Sequence, residues 1–113
     1  MGTELPLPHY RPSDSDSLCG LCQRAGKLIS GELSCENAVK SGKAKLLIIA
    51  DDASENTKKK FSNMASFYKV DIIGTGTKKE IGRIIGKDMR SSVAITDEGF
   101  AQQLKKLMAS ERV

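Results

Sequence analysis

Lys45-Leu46-Leu47-Ile48-Ile49-Ala50-Asp51 is the stretch on which the fold turns. Five apolar residues in a row, several of them β-branched, stand between a lysine and an aspartate. Such a run suits a strand covered on both faces, as in a parallel or mixed sheet of an α/β protein. Outward from this strand, elements alternate. Before it, Lys27 to Ser30 reads as a short strand, and a short helix starts near Ser34, turns Ala38 and Val39 inward and stops at Gly42. After it come a loop, Asp51-Asp52-Ala53-Ser54, and a helix marked by Phe61, Met64, Ala65 and Tyr68. Val70 to Ile73 give a further strand. Thr77-Lys78-Lys79-Glu80 has capping-box spacing ahead of Ile81, Ile84 and Ile85. Ser92 to Thr96 make the last strand, and Phe100, Leu104, Leu107 and Met108 the closing helix. The alternation predicts helices covering both faces of a central parallel or mixed sheet.

At the front, Leu18, Leu21, Cys22 and Ala25 recur at helical spacing up to Gly26. Residues 1–17 hold all three prolines and no apolar periodicity, so they are expected to be a flexible tail, with the folded domain spanning 18–113. The 113-residue chain suits one domain. It has no apolar run long enough to span a membrane and no secretory pattern, which points to a cytoplasmic protein with no membrane partner. Three cysteines, an odd number, argue for reduced thiols. The net charge of +4 conceals a more basic domain, because the first 17 residues are acidic. A basic domain with few aromatics fits a polyanion partner held through phosphate contacts.

The motifs that suggest other chemistry are weak on inspection. Cys19-Gly20-Leu21-Cys22 has the spacing of redox and zinc sites, but a zinc site needs four ligands and only Cys35 and His9 remain. No strand precedes it as a thioredoxin-like dithiol requires, so two small residues packed on a helix face is the better reading. Gly74-Thr75-Gly76 precedes a helix, yet the third glycine of a dinucleotide fingerprint falls on Lys79, so a tight turn is expected. Asp51 and Asp52 have no nearby histidine or third carboxylate and read as a loop start. With the single histidine in the tail, no nucleophile–histidine pair forms inside the domain, and an enzyme is disfavoured. No metal or cofactor is implied, and a monomer is expected. Lys58-Lys59-Lys60 reads as a solvated helix face. Lys27, Lys40, Lys43, Lys87 and Arg90 fall at element ends that are expected to converge on one rim.

Longer segments carry a resemblance. Arg24-Ala25-Gly26-Lys27-Leu28-Ile29-Ser30-Gly31, Gly42-Lys43-Ala44-Lys45-Leu46, Ala50 to Ser54, Asn56 to Lys60, Tyr68-Lys69-Val70, Thr77 to Gly82, Ile85-Gly86-Lys87 and Val93 to Ala101 together resemble the YlxQ-type bacterial members of the L-seven-Ae ribosomal-protein family. The resemblance implies a three-layer α/β/α sandwich with a central mixed sheet, and binding to kink-turn RNA, a sharply bent internal loop of structured and ribosomal RNAs, in association with translation. The start of the second helix would enter the widened major groove at tandem sheared G·A pairs, and the loop before the last strand would pack on a flipped-out nucleotide. RNA of this kind is read by shape and exposed base edges. On this transfer the RNA-binding residues are Lys27, Gly31, Leu33, Ser34, Asn37, Lys40, Lys87, Met89 and Arg90. The family's usual Gly-Ala-Asn-Glu-x-x-Lys is altered here, with Leu33, Ser34 and Asn37 in the Asn, Glu and Lys positions. Lys87-Asp88-Met89-Arg90-Ser91 is basic where the family's loop is mainly apolar. Phosphate contacts are therefore expected to replace part of the base readout. The competing reading is a protein–protein adaptor in translation that keeps the fold without specific readout.

Overall fold

The computed structural model describes residues 14–111, side chains to 110. Five helices and four strands alternate: α1 Asp14–Arg24, β1 Leu28–Ser30, α2 Glu32–Lys40, β2 Leu46–Ile49, α3 Glu55–Tyr68, β3 Asp71–Gly74, α4 Lys78–Ile84, β4 Ser92–Ile95 and α5 Glu98–Glu111. The strands form one sheet in the order β1-β4-β2-β3. β4 is antiparallel to both β1 and β2, while β3 runs parallel to β2, so the sheet is mixed. α2 and α3 pack together against one face, and α1, α4 and α5 against the other. Every residue of β2 is buried, which is why its sequence shows no alternation. Phe61 and Leu104 close the core from opposite sides.

The register gives the molecule two poles. Leu28, Ile95, Leu46 and Asp71 lie side by side at one end of the sheet, and Ile49, Ser92 and Gly74 at the other. The first end is the foot and the second the head.

Two boundaries differ from expectation, and so do two helix-face positions. α1 starts at Asp14, inside the segment read as tail. Ser15 is buried there, and Asp14 and Asp16 suit the positive end of the helix; a small polar residue facing inward leaves no apolar periodicity to detect. Residues 1–13, with His9, lie outside the described residues. α2 starts at Glu32, two residues before Ser34, because Gly31 turns the chain straight out of β1. On helix faces, Leu21 and Tyr68 are exposed, whereas Cys19 and Cys22 fill the inward positions. The capping box at Thr77 and Glu80 is formed as its spacing predicts, and Gly76 closes the turn after β3, its carbonyl accepting Asp51 N–H at 2.7 Å.

The thiols are packing residues. Cys22 Sγ donates to Lys27 O at 3.3 Å and Cys35 Sγ to Ile29 O at 3.6 Å. Burial pushes Cys22 up to about 11, with Asp97 adding to the shift. Burial also pushes Cys35 up to about 11, while the neighbouring Ser92 pulls the other way, although its hydroxyl makes no well-formed hydrogen bond among the described residues. Neither is the depressed, accessible thiol of a redox site, and no metal-binding cluster occurs among the described residues.

The raised values carry a sign. Unfolded thiols ionise near 9 and folded ones near 11, so the stabilisation is complete below pH 9 and is lost as pH climbs through 11. The melting temperature is expected to fall over that interval, by the equivalent of about 1–2 kcal/mol per thiol. A Cys22→Ala/Cys35→Ala variant should show a shallower decline in a pH series of thermal melts; an unchanged slope would remove the thiols from the explanation.

Candidate RNA-facing surface at the head

β1 delivers the chain to the head, where Gly31 takes φ 101 and ψ 146, a conformation that glycine alone adopts without strain. The turn aims α2 away from the sheet edge. Gly31 N–H donates to Ser92 O at 3.1 Å, so the start of α2 is fixed to the start of β4. Since β4 is entered through Lys87–Ser91, that loop emerges beside the first turn of α2. Arg90 joins them: its Nε donates to Ser30 Oγ at 3.4 Å, and its Nη1 to the carbonyls of Met89 at 3.0 Å and Asp88 at 3.3 Å.

The loop is held from below by α4. Lys87 N–H donates to Gly82 O at 2.8 Å, and Arg90 N–H to Lys78 O at 3.1 Å. Gly82 permits the approach, for a β-carbon there would stand 2.1 Å from Asp88 O. α4 is itself anchored, with Asp52 Oδ1 accepting Lys78 N–H at 2.9 Å.

On this frame Leu33 and Met89 are 70% and 63% exposed, large apolar side chains that fill no part of the core. Ser34, Asn37 and Lys87 are also exposed. Gly31 offers α2 no side-chain cap, whereas Ser54 caps α3 and Thr77 caps α4. The first-turn N–H groups of α2 are thus left to an external acceptor. Two carboxylates near this end, Glu32 and Glu36, are bound by a single ammonium from α3. Lys60 donates to Glu32 and, at 2.7 Å, to Glu36; these bonds, Glu32 first, raise the Lys60 pKa.

The structure therefore puts Gly31, Leu33, Ser34 and Arg90 at the head, with Met89 next to Arg90 in the loop, Lys87 at the α4 end of that loop, and Asn37 one turn further along α2. It does not bring Lys27 or Lys40 to that rim. Lys27 precedes β1 and its carbonyl accepts Thr96 N–H at the foot, four strand residues or about 13 Å from Gly31. Lys40 ends α2, also at the foot. Lys43 follows it there. The reason is topological: β1 climbs from foot to head and α2 descends again, so the ends of one element face opposite ways. Lys60 departs too from the solvated reading, since partners 24 and 28 residues away are invisible to local pattern. Gly82 escapes a reading by sequence; its only signal is a glycine inside an otherwise helical run.

The family model described as the ribosomal protein L7Ae/L30e/S12e/Gadd45 family matches residues 14–105. The chain is 41% identical over 91 residues to the RNA-binding protein YlxQ of Bacillus subtilis (strain 168), a match covering 80% of this chain and 91% of that one. It is 44% identical over 92 residues to the RNA-binding protein YlxQ of Enterococcus faecium, covering 81% and 88%. Among solved structures, a protein of unknown function from Bacillus halodurans superimposes with a TM-score of 0.83 at 34% identity, over 86% of this chain and 98% of that one. A Giardia lamblia 15.5kD RNA binding protein shares the fold, with a TM-score of 0.70 at 22% identity over 83% and 84%.

Proposed function

Given that the chain belongs to the ribosomal protein L7Ae/L30e/S12e/Gadd45 family, we propose that it is a non-catalytic RNA-binding protein whose head docks on kink-turn RNA, in association with translation. The observation that carries the reading is the Arg90–Ser30 bond. It ties the loop before β4 to the last residue of β1, directly ahead of α2, and so supports reading that loop and the first turn of α2 as one surface; the resemblance gives these as the two elements through which the family engages such RNA. The uncapped N–H groups of Glu32, Leu33 and Ser34 face phosphate, helped by the helix dipole. Lys87 adds charge, Asn37 supplies an amide, and Met89 offers an apolar platform to an extruded base. With Lys60 holding Glu32 and Glu36, the approaching backbone meets few free carboxylates.

Anisotropy titrations with a kink-turn RNA and an unkinked duplex of matched length test this. The kink-turn RNA is expected to bind at least tenfold more tightly, roughly one bidentate contact's worth. Its log affinity should fall with log salt at about 0.7–0.9 per phosphate engaged. Equal affinity for both RNAs rejects the shape-specific reading. The exposure of Leu33 and of Met89 favours a second reading, an adaptor that keeps the fold and binds protein. Recovery of a protein partner that survives nuclease treatment, together with equal RNA affinities, would select it.

A further inference from the structure

We propose that the foot carries a second RNA-binding site, one that takes a single-stranded segment by its phosphates and stacks a base on Tyr68. An open hollow of about 560 Å³ lies there between the ends of α2, α3 and α5, within the range that holds a nucleotide-sized ligand. Lys40, Lys45, Lys69 and Lys105 line it, with Lys43 exposed in the turn between the first two. Two carboxylates share the wall. Asp71 is taken by Lys105 at 2.6 Å, and Glu98 accepts from Gln102 at 2.7 Å. Lys40, Lys43, Lys45 and Lys69 meet no carboxylate within 4.0 Å among the described residues.

Lys69 is the telling residue. It caps α3 in the left-handed conformation, φ 60 and ψ 46, and is the sole non-glycine residue with positive φ among those described. That position ordinarily goes to glycine or asparagine because a side chain there is strained. A lysine at the end of a helix complements the dipole, which would account for Lys40. It does not require left-handed backbone, and it leaves Lys45, outside any helix, unexplained. An ammonium needed at the hollow explains all three.

The aromatic side supports a nucleic acid over other polyanions. Tyr68 lines the hollow and is 40% exposed. Phe67, 78% exposed, meets its ring edge-on with centroids 4.9 Å apart. Lysines spaced around an exposed ring are what a flexible strand uses, phosphates to the charges and a base on the π-face. A duplex offers no free base to stack. The exposed face of α2, through Leu33, Asn37 and Lys40 at helical spacing, connects this site to the head. The two sites nonetheless stand independently.

Two probes separate them: a fluorescent ten-nucleotide single-stranded RNA, and a blunt kink-turn hairpin with no overhang. The full chain is expected to bind the oligonucleotide in a salt-dependent manner. Lys40→Glu/Lys45→Glu/Lys69→Gly should weaken that binding at least tenfold and reduce the salt slope by about 2, because three phosphates are no longer neutralised. Its binding to the blunt hairpin should be unchanged. Since Lys69→Gly relieves strain, Lys69→Gly alone should melt no lower than the parent while still binding the oligonucleotide more weakly, which guards against a variant that simply misfolds. The proposal is overturned if the parent chain ignores the oligonucleotide at low salt, if the folded variants bind it undiminished, or if the triple variant loses both RNAs together. Failure of the parent to prefer the hairpin over a duplex would instead count against the head and leave the foot standing.

Discussion

Gly82→Ala is expected to destabilise the fold and, in the molecules that remain folded, to weaken kink-turn RNA binding at least tenfold. The added β-carbon would lie 2.1 Å from Asp88 O, 2.6 Å from Asp88 C and 3.0 Å from Lys87 O, and all three are backbone atoms that no rotamer change can move. Either α4 withdraws from the sheet or the loop lifts. Overpacking of this kind costs about 1–3 kcal/mol, some 4–8 °C in melting temperature per kcal/mol for a domain of this size. Lifting the loop also breaks the Lys87–Gly82 and Arg90–Lys78 backbone bonds and carries Met89 and Arg90 away from Ser30. Gly86→Ala serves as the control. Gly86, unlike Gly82, has positive φ, 72, and nothing stands within 4 Å of its β-carbon position, so that variant should lose some stability to strain while keeping the loop in place. A folded Gly82→Ala protein with parental affinity for the hairpin would mean that the loop is not part of the RNA surface.

The second large effect runs the other way. Leu33→Asn/Ser34→Glu/Asn37→Lys restores the family's usual motif on the register in which Gly31 aligns with its glycine, and kink-turn affinity is expected to rise by tenfold or more. Each bidentate contact to a base edge contributes about 1–3 kcal/mol of discrimination. All three side chains are exposed, Leu33 at 70%, so the exchange disturbs no packing and should leave the melting temperature nearly constant. Anisotropy against the hairpin decides it. Unchanged or lower affinity in the folded triple variant would show that these positions do not face the base edges.

The fold is legible in the sequence because its strongest signals are local. Leu46 to Ala50 suits a doubly covered strand, and Thr77 with Glu80 announces a helix start; the structure reproduces both. The family resemblance adds the layer order. What stays hidden depends on distant partners or on the absence of a side chain. Lys60 reads as one of three solvated lysines until α3 is laid beside α2. The role of Gly82 becomes visible only when the loop returns over it. The nine residues read as RNA-binding rest on motif positions and on lysines and an arginine at element ends, and neither carries information about which pole an element end reaches. Lys27 and Lys40 therefore fall in one group with Arg90, although a strand and a helix separate them from it. The position of Lys40 gains a reason only with Lys45 and Lys69 beside it.

Among the described residues the sheet has two unpaired edges, and both are poor templates for another strand. β1 is three residues long and is cut off by the extended turn at Gly31. β3 opens on Asp71, held by Lys105, and closes on a glycine. Short, charged or glycine-terminated edges resist accretion of further chains. The molecule can accordingly be concentrated on a polyanion without its own β-structure propagating from one copy to the next.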